Sequence, residues 1–264
     1  MMRNGPLSLT FHLLLVVFLL APLVVVIMVA FTPGMTLEIP LDSFSLRWLE
    51  AVFHHPDFVA SFWTSLWLAL ASGTLSVLLA IPAALAIARS SFPGRDAING
   101  LLLSPLLIPH LVLGVAILRL LTVIGETGSF FWLLLSHTVV VSPYALRLIL
   151  AAISGMDESA EQAAYSLGAS RWTVFRRITF PMILPGITGG WLLAFITSFD
   201  ELTMSIFVTS PSTVTLPVRM YMYASETLDP MMAAVSALMI LITGLAMILL
   251  DRVYGLDRVL VGER

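Results

Sequence analysis

The sequence predicts an all-α integral membrane protein with six transmembrane helices and a cytoplasmic helical loop between the fourth and fifth. Three observations point there. Hydrophobic residues make up 59% of the 264 residues and charged residues only 11%, whereas a soluble domain carries roughly 25% charged residues. The charges also punctuate the chain. No Asp, Glu or Arg occurs between Arg3 and Glu38, Asp57 and Arg89, Asp96 and Arg119, Glu126 and Arg147, Arg177 and Asp200, or Asp229 and Asp251. Each gap holds the roughly 20 residues that a helix needs to cross about 30 Å of hydrocarbon. The apolar runs, finally, lack the short alternation of a membrane barrel, so helices are left as the structure that satisfies the backbone in lipid.

Taken in order, the spans fall near residues 10–31, 60–88, 98–121, 129–150, 185–208 and 230–250, within a single membrane domain covering 1–264. The apolar core of the first, Phe11 to Phe31, exceeds the about 7–15 residues of a signal-peptide core and has no A-x-A-like site after it, so it reads as a retained helix. Orientation follows from arginine, because the chain has no lysine. Placing both ends inside puts Arg3, Arg89, Arg95, Arg147, Arg171, Arg176, Arg177, Arg252, Arg258 and Arg264 in the cytoplasm and leaves Arg47, Arg119 and Arg219 outside, as the positive-inside rule requires. The outer connections 32–59 and 209–229 carry Trp48, Phe53 and Phe58, or Pro211 and Pro217; such segments can lie on the membrane surface as short amphipathic helices, and they read as plain interfacial connectors with aromatic anchors rather than as binding surfaces.

The inner stretch 154–185 holds two short helices. Asp157 and Glu158 suit a helix N-terminus, Ala160 to Leu167 are good helix formers, and Gly168 ends the run. Ser170 can cap a second helix through Arg176 and Arg177, which Pro181 and Pro185 are expected to close before the fifth span. A partly apolar helix on an elbow is suited to a groove on a soluble partner.

This stretch resembles the loop named for its Glu-Ala-Ala signature in permeases of type I ABC importers. Gln162-Ala163-Ala164, Gly168 and Ile178-Thr179-Phe180-Pro181 keep the family spacing. Gln162 replaces the usual Glu, with Glu161 one place earlier, and Phe180 replaces Leu. The resemblance covers nearly the whole chain, and it implies a coupling helix near 158–168 with Glu161, Gln162, Ala163, Ala164, Gly168 and Arg171 as the residues that meet an ATPase. It also implies the partners: a dimer of ATP-binding subunits that holds ATP and magnesium, a second and different permease, and an extracytoplasmic substrate-binding protein. The setting is the bacterial inner membrane, in contact with lipid. No cofactor is expected in this chain itself, which lacks Gly-x-x-x-x-Gly-Lys-[Ser/Thr] and reads as a non-catalytic transport subunit.

The costliest residues within a span are Asp200 and Glu201, since a carboxylate near a helix centre costs roughly 2.5–3.5 kcal/mol on insertion scales. Successive helical positions differ by about 100°, so both can face one cavity only if the helix unwinds locally. Gly190, Ala194, Thr197, Glu201 and Ser205 share a small, polar face, which is either a packing seam or a cation site. Ser198-Phe199-Asp200-Glu201-Leu202, with Phe207-Val208-Thr209-Ser210-Pro211, resembles the permeases of spermidine and putrescine importers. That resemblance favours Asp200 as the substrate contact while the periodicity favours Glu201. Phe195, Phe199 or Tyr144 could add cation–π attraction to an ammonium group, and Thr197 lies on the same stretch of pathway.

Other classes are disfavoured. A net charge of −3 gives no basic stripe for nucleic acid, and the absence of cysteine excludes disulfides and thiolate metal sites. His54-His55 lacks metal-ligand spacing, and His110 and His137 read as packed, hydrogen-bonded side chains rather than functional ones. Arg119 and Arg147 sit near span ends, where long side chains snorkel. A secondary transporter would show an inverted repeat of broken helices, and an intramembrane enzyme a constellation such as His-Glu-x-x-His; neither is evident. Another small solute, amino-acid-like or anionic, remains the alternative cargo.

Overall fold

The computed structural model describes residues 5–254. Arg3, Arg258, Arg264 and the C-terminus, all part of the arginine argument, lie outside the described residues. Among the described residues every regular element is helical: α1 (Pro6–Val29), α2 (Arg47–His54), α3 (Pro56–Arg89), α4 (Arg95–Leu103) running into a 3-10 turn (Ser104–Leu106), α5 (His110–Ile124), α6 (Phe130–Ser154), α7 (Ser159–Ser166), α8 (Arg171–Val174) followed by a π turn (Phe175–Thr179), α9 (Phe180–Phe199), α10 (Ser205–Val208), α11 (Leu216–Glu226) and α12 (Met231–Tyr254). Among the described residues, five stretches are long and apolar enough to cross a membrane: Leu7–Val29, Pro56–Arg89, Phe130–Ser154, Arg171–Phe199 and Met231–Ile248. A sixth crossing requires Arg95–Leu106 and His110–Ile124 to act together, across a bend of 102°.

That bend corrects the expectation of one straight helix over 98–121. Pro109 has no amide hydrogen to continue a helix and drives Ile108 out of helical conformation, so the chain turns and restarts at His110. The fifth span is also displaced from 185–208. Its helical run begins at Arg171 and stops at Phe199, with Asp200 as the capping residue. Pro181 and Pro185 do not close the preceding helix. The π turn, in which the Phe180 amide donates to the Phe175 carbonyl, carries the chain across Pro181, and Pro185 sits inside α9. Proline is tolerated within spans where neighbouring helices and local readjustment satisfy the freed carbonyls.

By its contacts the chain divides into two units. One comprises residues up to Ala60 with Arg219–Gly244. Within it the Trp48 indole donates to the Gly34 carbonyl at 2.9 Å, Arg219 pairs with Asp57 at 2.5 Å, and Asp229 caps α12 through the Met231 amide at 3.0 Å. The short helix α2 falls in the first of the two long outer connections and α11 in the second.

The other unit, Ser61–Val218 with the described residues from Leu245, carries the larger core. Val77, Ala80 and Ala84 of α3 pack with Ala145, Ile149 and Ile153 of α6 and Ile183 and Ile187 of α9. In lipid, helices associate through close backbone approach rather than through the hydrophobic effect. Gly186 supplies that approach: a β-carbon there would stand 2.5 Å from the Ala152 β-carbon and 2.8 Å from the Leu148 carbonyl oxygen. One turn on, a β-carbon at Gly190 would lie 3.1 Å from the Ala145 α-carbon. Gly190 and Ala194 are therefore seam residues of the α6–α9 contact. A second cluster joins Leu68, Leu121, Leu133, Val140, Val141, Ala194, Met204 and Val208, and so packs α10 against α5 and α6.

Candidate coupling and translocation sites

The elbow between α6 and α9 is built by local capping. Asp157 accepts the Ser159 amide at 2.9 Å and the Ser159 hydroxyl at 2.8 Å, which holds its carboxyl below the ordinary range and starts α7. At the far end Gly168 takes φ +85°, the Gly168 amide donates to the Tyr165 carbonyl and the Ala169 amide to the Ala164 carbonyl. This is the paired Schellman closure, and glycine enters the left-handed region without penalty. Ser170 then caps α8 by accepting the Thr173 amide at 3.2 Å.

Of the residues that the resemblance assigned to coupling, Glu161 faces inward. Its side chain is 6% exposed, paired with Arg89 at 2.6 Å and accepting a hydrogen bond from Thr179. It therefore ties α7 to the end of α3 and to the π turn. Gln162, Ala163, Gly168 and Arg171 are exposed and Ala164 is half-buried. Leu167 and Trp172, which residue order does not single out, stand open at 89% and 67% exposure, and Tyr165 is exposed as well. The elbow thus offers one apolar and aromatic surface outward and one carboxylate inward.

The second site is the gap between α9 and α10, where the chain leaves the helix at Asp200 and re-enters it at Ser205. The local unwinding that would let adjacent carboxylates take separate roles is present here. Glu201 is buried. It accepts the Met204 amide at 2.6 Å, in the manner of a cap on α10, and the His110 Nδ1–H at 2.8 Å. Asp200 is exposed and forms no ion pair among the described residues. The break before α5 and the break after α9 thus meet through His110 and Glu201. Gly114 of α5 permits the close approach, since a β-carbon there would be 3.0 Å from the Met204 α-carbon. Irregular backbone at membrane depth is tolerated where protein or a cavity surrounds it.

Around this gap, Trp191, Phe195 and Phe199 stack at successive turns of α9, with ring centroids 5.4 and 5.9 Å apart, and Phe62 of α3 meets Phe199 edge-on at 6.2 Å. Phe195 and Phe199, expected to offer their faces to an ammonium group, are instead buried within this column. Thr197 and Tyr144 are half-buried, and among the described residues Tyr144 makes no ring contact with the column. His137 is wholly buried and hydrogen-bonded. His110 is hydrogen-bonded too, but its partner is one of the two acids, which no single-sequence spacing signals across 91 residues. The clue was local: two prolines, Pro105 and Pro109, ahead of His110 inside an otherwise apolar run.

An all-helical membrane chain with a capped helical elbow and interrupted spans around an exposed carboxylate is the transmembrane subunit of a transporter, a permease. The chain belongs to the family of binding-protein-dependent transport system inner membrane components, whose family model matches residues 76–256. It is 32% identical, over 79% of this chain and 81% of the relative, to the spermidine/putrescine transport system permease protein PotC of Haemophilus influenzae. It is 36% identical to the molybdenum transport system permease protein ModB of Escherichia coli K12, over 60% of this chain and 78% of the relative. Among solved structures, a bacterial ABC transporter involved in the import of the acidic polysaccharide alginate matches with a TM-score of 0.68, 15% identity and 94% coverage of each chain. The MetNI methionine ABC transporter matches with a TM-score of 0.63, 19% identity and coverage of 76% of this chain and 95% of that one. At such identities the structural likeness is one of fold.

Proposed function

We propose that this chain forms the translocation pathway of an importer for polyamines such as spermidine or putrescine, powered by ATP hydrolysis in a separate subunit. The observation that carries the reading is the asymmetry of the acidic pair. Glu201 is committed to His110 and the Met204 amide, while Asp200 is exposed on an unwound segment next to an aromatic column. An exposed carboxylate suits an ammonium group. The resemblance to a spermidine/putrescine permease points the same way.

In this reading the elbow faces the cytoplasm with both termini, and Tyr165, Leu167 and Trp172 seat in a groove of a dimeric ATPase that binds ATP and magnesium. A second, different permease completes the pathway, and an extracytoplasmic binding protein delivers the cargo. Closure of the ATPase dimer moves the elbow as a rigid body and alternates access. This chain contributes pathway and lever, and no catalysis.

The test is uptake of labelled spermidine and of molybdate by vesicles holding the assembled importer. Asp200→Asn is expected to lower spermidine uptake about tenfold per assembled complex, the scale of one lost hydrogen bond to a charge, with assembly unchanged. Undiminished spermidine uptake overturns the polyamine reading. The relative named for molybdenum transport favours a second reading, an oxyanion pathway. Molybdate uptake that survives or improves in Asp200→Asn would select it, because a negative pathway opposes an anion.

A further inference from the structure

The gap that carries Asp200 is bridged by a histidine from another helix. His137 of α6 is wholly buried, and its two ring nitrogens reach opposite ends of the gap: Nδ1 lies 2.8 Å from the Ser198 hydroxyl in the last turn of α9, and Nε2 lies 2.9 Å from the Ser205 hydroxyl at the start of α10. Ser72 of α3 donates to Ser198 at 2.9 Å. The Ser198 proton is then directed at Nδ1, which leaves Nε2–H to donate to Ser205. One neutral imidazole thus uses both nitrogens to fix both sides of the break. All four side chains are buried, and a buried polar group left without its partner is costly, so the arrangement has few alternatives.

We infer that His137 is a positioning residue for translocation, which sets the place of the Asp200 carboxylate by holding Ser198 and Ser205 at fixed separation. The inference rests on the reading of Asp200 as the substrate contact. His137 does not touch the cargo; it acts through the two serines and the segment between them. A packing role alone would affect assembly, whereas a positioning role shows as an altered apparent affinity that depends on Asp200.

The experiment is a double-mutant cycle on the complete importer, measuring KM for labelled spermidine uptake per assembled complex. His137→Leu keeps the bulk and removes both hydrogen bonds. It is expected to raise KM about tenfold in the native background and less than about twofold in the Asp200→Asn background, because there is no longer a charge to position. His137→Gln, which retains a donor and an acceptor, is expected to recover part of the loss, and Ser198→Ala with Ser205→Ala to reproduce it. If Asp200→Asn raises KM but His137→Leu does not, or raises it by the same factor in both backgrounds, the positioning inference fails while the substrate reading stands. If Asp200→Asn leaves both KM and the maximal uptake rate unchanged, the substrate reading fails and this inference with it; if it lowers only the maximal rate, the substrate reading stands and the positioning inference, which requires an effect on KM, fails. If His137→Leu assembles poorly, the serine pair decides: lowered yield with unchanged KM would show a purely structural role.

Discussion

The elbow at α7 and the gap between α9 and α10 solve the same problem with different bases. Each interrupts a helix, and each buries one carboxylate. At the elbow Glu161 meets Arg89, a permanent cation, and Thr179, so three elements are locked together. At the gap Glu201 meets His110, which is a cation only when protonated, and the amide of its own turn. The first arrangement suits a lever that must not deform, and at the second the unwound segment is held by His137 through Ser198 and Ser205. In both places the acid that is buried and partnered builds the fold, and the groups left exposed, Leu167 and Trp172 at one site and Asp200 at the other, are free to meet something else.

The contrast can be broken most severely at Arg89. Arg89→Leu strands the buried Glu161 carboxylate, at a cost toward the lower end of the about 3–5 kcal/mol of a fully buried pair, because the Arg89 side chain is itself 25% exposed. The yield of assembled complex, measured by purification of intact importer from membranes, is expected to collapse. A normal yield would show that the elbow does not depend on this pair. Glu201→Gln is the matching change at the gap and is expected to be milder. The amide still accepts the Met204 amide, so the loss is on the order of 1–3 kcal/mol, visible as lower thermal stability with spermidine KM little changed. A KM effect as large as that of Asp200→Asn would erase the division of labour between the two acids. The smallest expected effect is that of Gly168→Ala, which places a β-carbon at φ +85° with open space around it. The strain is about 1 kcal/mol, so uptake is expected to fall only slightly, whereas Gly168→Pro, whose ring forbids positive φ, is expected to abolish ATP-driven uptake without preventing membrane insertion. Wild-type uptake by the proline variant would remove the elbow from the coupling path.

Much of the elbow was legible from residue order, because its devices are local. Asp157, Ser170 and Gly168 act on amides and carbonyls within a few positions, and each does so in the structure. The inward turn of Glu161 was not legible, since its partner Arg89 lies 72 positions earlier (161 − 89) at the end of another helix. The gap was less legible still. Periodicity along an unbroken helix put Glu201 on a shared polar face with Gly190 and Ala194, and those two do belong to a packing seam. The helix ends at Phe199, however, so the phase of that pattern no longer governs residues 200 and 201.

By itself the sequence determined what depends on nearest neighbours and on solvent: apolar runs long enough to cross a membrane, helical structure because lipid offers the backbone no other partner, and caps and turns at glycine, serine and aspartate. Only the tertiary structure decided where spans are interrupted and which acid is spoken for. A proline can be absorbed by a π turn, as at Pro181, or can break the chain, as at Pro109, and neighbouring helices settle which. A carboxylate in the membrane is stable only beside donors, and the donors for Glu201 and the brace around Asp200 come from α5 and α6, helices that residue order does not place beside them.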